Sequence, residues 1–153
     1  MTTPVTYGSA IEAIDSLLSE FANNEPLSVS HAEVVSFAVN HDVQIRDYLL
    51  GGLPETLTAN GAIHFITDLM PLVAEADRVP FYTLLTAFYH EAGDNDLAYA
   101  SLFTAQSLNA NYSLAQLLER AIGSGGINFA ELRSELHPKV VESINENREL
   151  VIL

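Results

Sequence analysis

The stretch that decides the fold is "PFYTLLTAFYHEAGDNDLAYASLFTAQSLNANYS", residues 80–113. It reads as two helices, about 80–92 and 95–109, joined by "AGDND". Gly93 and Asp94 mark the turn: glycine stops the first helix and aspartate caps the second. Large side chains, Tyr82, Leu85 and Tyr89, recur along the first helix. Ala98, Leu102 and Ala105 occupy one face of the second. Ala98 and Ala105 lie seven residues apart, and their small side chains let two helices touch closely.

Outward from this hairpin the signals stay helical. Ile11, Ile14, Leu17, Leu18 and Phe21 share one face of a first helix, with Ser9 as its expected cap and "NNEP" as its close. "SVSHAEVVSFAVN" is read with Ser30 as N-cap and Glu33 completing a capping box. "HDVQIRDYLLGGLP" reads as a short helix that Asp42 caps and Gly51-Gly52 stops. A longer helix is expected from about Thr58 to Ala76, kinked or divided by Pro71. Ser113 is the expected cap of the next, which "GSGG" ends. Asn128 caps a short helix with Glu131 at its third position, and Pro138 opens a last one. "ENRELVIL" closes the chain with an apolar tail, expected to pack rather than to hang free. The expected fold is all-α: a single-domain bundle of eight or nine short helices around one helical hairpin.

Composition agrees with a packed chain. Of 153 residues 48% are hydrophobic and 17% charged, too apolar for disorder. There is no cysteine, so neither a disulfide framework nor a thiolate zinc site is available. The longest apolar run, "FITDLMPLV", carries Asp68 and Pro71 and falls short of the roughly 18 residues of a membrane span. The Met-Thr-Thr-Pro start has no secretory pattern. A soluble cytoplasmic protein is expected. Twenty acids against six bases leave a net charge of −14. Phosphate backbones repel such a surface, which argues against direct nucleic-acid binding. Acidity at this level keeps a chain soluble and monomeric, or as a small homo-oligomer, and it steers toward a basic partner.

The hairpin resembles a tetratricopeptide unit, in which large residues of one helix meet small alanines of the next. Thr86 stands where that pattern has a small residue, and Ala110 where it has a proline. One unit is not an array, which takes about three repeats. By this resemblance Thr83, Ala87, His90 and Glu91 line the inner face through which such modules bind partners. In a lone hairpin the alternative is coverage of that face by a preceding helix, and coverage is the expectation.

Residues 30–137 also resemble the actinobacterial domain of unknown function 4192 family. Pro80, Gly93, Asp94, Ala98, Ala105, Tyr112, Ser113, Leu114, Leu117 and Leu118 carry the likeness, with Asp42, Arg46 and Asp47. That family's longer N-terminal portion, rich in strands and glycine, has no expected counterpart among these residues, and Phe81 and Tyr89 replace its tryptophans. Residues 1–29 then supply an N-terminal helix, and 138–153 a C-terminal helix and tail. The resemblance implies an actinobacterial host or one of its phages, and it carries over no activity; no cofactor is expected.

Candidate sites are few. The histidines His31, His41, His64, His90 and His137 form no metal-ligand spacing. No nucleophile elbow or phosphate loop is present. Asp42, Arg46 and Asp47 are the densest polar cluster, with Asp42 and Arg46 expected to pair at i, i+4. Their reading is an ion pair that orients the helix, or a recognition point for a partner. The function expected is a small protein–protein interaction module, an adaptor or inhibitor, and not an enzyme. Two alternatives stay open. A DNA-mimic inhibitor needs acids in a spaced double row. A hydrolase needs a pocket with two carboxylates.

Overall fold

Seven α-helices, and no β-strand, form the computed structural model among the residues it describes, 3–125 and 128–153. Met1 and Thr2 of the quoted start, and Gly126 of "GSGG", lie outside these residues. The helices are α1 (Tyr7–Ala22), α2 (Val29–His41), α3 (Val43–Leu69), α4 (Val79–Glu91), α5 (Asn95–Leu108), α6 (Ser113–Gly123) and α7 (Phe129–Glu146). Two short 3-10 turns, Met70–Leu72 and Glu75–Asp77, link α3 to α4.

The all-α expectation holds, but seven helices stand where eight or nine were expected. Two merges make the difference. Gly51-Gly52 does not stop a helix; α3 runs through it, and through Pro54, as far as Thr58. Thr58 alone leaves helical geometry, at φ 69° and ψ 169°, and its hydroxyl accepts from Gly61 N at 3.3 Å to start the second half. The reason lies across the interface. His137 of α7 sits directly on the glycines, and a Cβ built on Gly51 would meet His137 Nδ1 at 2.8 Å and Cβ at 3.0 Å. The pair is a landing surface for α7, not a terminator. Likewise Pro138 lies inside α7 and opens nothing. An internal proline costs about 3 kcal/mol, so packing on both sides must hold the helix: His137 against the glycines, Ile144 in the core.

Other boundaries follow local chemistry. Thr6, not Ser9, is the N-cap of α1; the two side chains form a reciprocal capping box. Ser28, not Ser30, precedes α2, and no side-chain cap is formed there. Asp42 caps α3 as expected, accepting from Gln44 N at 2.8 Å, and Asn128 caps α7 by accepting from Glu131 N at 3.0 Å. Tyr112, not Ser113, is the N-cap residue of α6. Pro71 falls in the first 3-10 turn, so the preceding helix ends at Leu69 and not near Ala76.

The core is one contiguous cluster drawing on all seven helices. α4 lies at its centre: Val79 through Phe88 are buried except Tyr82. α5 packs along α4 with Ala98, Leu102 and Ala105 facing inward. α3 packs against α4 as well. The apolar tail pairs with the N-terminal segment. Ile152 N donates to Val5 O at 2.8 Å, Tyr7 N donates to Leu150 O at 3.1 Å, and an antiparallel bridge joins Thr6 and Val151. Ile152 is buried, while Leu153 is in water. No helix among the described residues is long and apolar enough to cross a membrane.

Candidate functional site

The six residues singled out by sequence divide into two groups. Arg46, Asp47 and Glu91, nominated from two separate segments, line one cleft. Asp42, Thr83 and His90 do not.

Asp42 is occupied elsewhere. It caps α3 through Oδ1, and its Oδ2 accepts a hydrogen bond from the Tyr7 hydroxyl of α1. The expected i, i+4 pair with Arg46 is therefore absent, because Asp42 sits in extended backbone ahead of the helix and points to its own cap. Thr83 is wholly buried, and its hydroxyl donates to Pro80 O at 2.6 Å. A side chain with no exposed surface has nothing to offer a partner. Ala87 beside it is also buried. His90 Nδ1 lies 2.9 Å from Asn95 Oδ1 across the hairpin turn, and its ring meets Phe129 edge-on at 5.6 Å.

The cleft opens between α3, α4, α6 and α7 and has a volume of about 400 Å³. Its walls are apolar: Leu50, Phe88, Leu114, Phe129 and Val140 line it. At its edge Leu117, Leu132 and Leu136 are 55%, 39% and 47% exposed, large side chains left to water. Two ion pairs sit in it. Arg46 Nε and Nη2 donate to Asp47 Oδ1 at 3.0 and 2.9 Å, and Nη1 donates to the Tyr112 hydroxyl at 3.4 Å. Burial opposes the Arg46 charge, but the Tyr112 hydroxyl and the Asp47 carboxylate outweigh it and raise the pKa above its ordinary value. Arg133 of α7 pairs with Glu91 of α4. Both carboxylates of the cleft are thus engaged by guanidinium groups. A carboxylate pair poised for hydrolysis would instead leave one acid in an apolar setting.

Phe129, Leu132, Arg133, Leu136 and Val140 recur at i, i+3, i+4, i+7 and i+11, one stripe of α7. That signal was legible, but reading Pro138 as a helix start cut the stripe in two. Only Ile144 of α7 is buried, so the stripe forms a cleft wall rather than core.

A second surface lies on α5. With Ala98, Leu102 and Ala105 inward, Asp96, Tyr99, Ala100, Phe103 and Ser107 face out, and all five are exposed. Phe103 is 73% and Tyr99 46% exposed. Asp94 and Asp96 lie at the N-terminal end of this ridge.

Among the described residues no group of three or more His, Asp or Glu side chains converges as a metal site. Comparisons with family models, with curated proteins and with solved structures return nothing that matches this chain.

Proposed function

We propose that this chain is a small acidic protein–protein interaction module, and that it meets its partner through the outward face of α5. The observation that carries the reading is Phe103, 73% exposed in the middle of a helix, with Tyr99 one turn away. Aromatic side chains supply most of the energy of many interfaces, and burying one from water is worth roughly 1.5–3 kcal/mol. Asp94 and Asp96 at the end of the ridge, and the −14 net charge, favour a partner whose apolar patch is flanked by lysine or arginine.

The tetratricopeptide likeness favours an interaction role, but the face it nominates, around Thr83 and Ala87, is buried, so the outward face of α5 takes its place in this reading. The likeness to the actinobacterial family, with its implication of an actinobacterial or phage source, belongs to this proposal as well, as does the cytoplasmic location expected from the start of the chain and the lack of a long apolar run.

The test is Phe103→Asp. Surface substitutions of this kind stay within about 0.5 kcal/mol of the parent stability, so the fold is expected to persist by circular dichroism. A protein captured by the parent chain from an actinobacterial lysate is expected to be lost from the variant. Equal capture by both chains removes the α5 face from the proposal.

A further inference from the structure

The cleft between α3, α4, α6 and α7 carries a charge opposed to that of the whole chain. Three of the six Lys and Arg residues, Arg46, Arg133 and Lys139, line it, against two carboxylates, Asp47 and Glu91. Three minus two leaves a local surplus of one positive charge in a chain of net charge −14. Arg133 Nε and His137 Nδ1, both on lining residues, are shielded from solvent and have no hydrogen-bond partner. A buried donor left without an acceptor costs on the order of 1–3 kcal/mol.

We propose that this cleft is a binding site for a small amphiphilic monocarboxylate: an apolar alkyl or aryl body with one carboxylate. The leucine, phenylalanine and valine walls take the body. The carboxylate goes to Lys139 and to the guanidinium of Arg133, whose Nη2 is held by Glu91 and whose Nε has no partner. Arg46 is already held by Asp47 and Tyr112, so it contributes field rather than a free fork. Three features select this class. The volume of about 400 Å³ lies at the small end of the range for small-molecule pockets, roughly 300–1,000 Å³. The surplus positive charge among the lining residues disfavours a wholly apolar ligand. The −14 net charge disfavours a polyanion such as a nucleotide, whose several charges the rest of the surface repels. The site is distinct from the α5 face and stands or falls apart from it.

The probes are decanoate, decanol and decylamine, each kept below its micelle threshold and titrated by calorimetry and by methyl NMR. Decanoate is expected to bind saturably and to raise the melting temperature. Decanol is expected to bind at least about tenfold more weakly, because charge-assisted hydrogen bonds are the strong ones. Decylamine is expected to bind more weakly still. Methyl shifts are expected at Leu117, Leu132 and Leu136 of the cleft and not at Leu97 or Leu108 of α5. The double variant Glu91→Gln with Arg133→Met is expected to lose about tenfold for decanoate and nothing for decanol. Should that variant fail to fold, Leu136→Glu serves instead: it lies at the exposed edge and adds a repelling carboxylate, so decanoate binding is expected to disappear. Equal binding of decanol and decanoate, shifts outside the cleft, undiminished decanoate affinity in Leu136→Glu, or no saturable decanoate binding would each overturn the proposal.

Discussion

Two helix crossings in this chain solve the same problem in different ways. α4 and α5 approach closely because Ala98 and Ala105, both wholly buried, put small side chains between them. α3 and α7 approach closely because Gly51 and Gly52 put no side chain there at all, and His137 fills the gap. The first crossing joins helices three residues apart in sequence. The second joins Gly51 and Gly52 to His137, 86 and 85 positions further along the chain. The alanine device therefore declares itself locally, by its spacing of seven. The glycine device does not: two adjacent glycines in isolation look like a helix end, and only the arrival of α7 gives them another use.

The largest effect is expected at the first crossing. Ala105→Leu inserts three carbons into a face with no free surface, and the expected loss is about 3 kcal/mol by denaturant unfolding. A loss below about 0.5 kcal/mol means that α5 does not seat through its alanines. Gly51→Ala probes the second crossing, where two terms of opposite sign compete. Helix propensity alone favours alanine by about 1 kcal/mol, but the new Cβ lies 3.0 Å or less from His137 Nδ1, Cβ and Cγ. The stem of a packed imidazole yields poorly, so a net destabilisation of about 1–2 kcal/mol is expected. A stabilised variant breaks the comparison.

Tyr7→Phe tests the clasp between α1 and the start of α3, away from the two helix crossings in sequence. The Tyr7 hydroxyl is pushed up from 10.0 to about 12, first by its hydrogen bond to Asp42, then by burial and by the Asp42 charge. The neutral hydroxyl is the form that the fold favours. Its contribution is therefore complete below pH 10 and lost as pH climbs through about 12. The expected stability difference between parent and variant is under about 1 kcal/mol near neutrality, since water competes at a partly buried bond. It should shrink across that alkaline window. A difference that stays constant with pH shows that Tyr7 acts by packing. Gly123→Ala is the smallest expected effect and the control for Gly51. Its Cβ would meet nothing within 4 Å, so propensity acts alone and a stabilisation of about 0.5 kcal/mol is expected at this helix end.

The same contrast between local and distant causes runs through the site. Arg46, Asp47 and Glu91 were legible as polar residues on helix faces, and they meet in one cleft because α3 and α4 pack side by side. Arg133 and Lys139 are harder to read: they are two of six cations on the segment that carries the apolar stripe, but the pattern does not say that the stripe forms a cleft wall. Thr83 belongs to the face that the tetratricopeptide resemblance offers to partners and that a lone hairpin is expected to have covered, and it is buried. Its hydroxyl is satisfied by Pro80 O one turn earlier, which removes the cost of burying it.

By itself the sequence determined the helical class, the α4–α5 hairpin, its turn at Gly93 and Asp94, and the caps at Asp42 and Asn128. These depend on periodicity and on contacts within four residues, which local chemistry dictates. Only the tertiary structure decided that Gly51-Gly52 continues a helix, that Pro138 lies inside one, and that Asp42 answers to Tyr7 rather than Arg46. It alone decided that half of the chain's cations gather around an apolar cleft. Each of these outcomes rests on an atom from a distant segment arriving within hydrogen-bond or van der Waals reach, and no local pattern encodes that arrival.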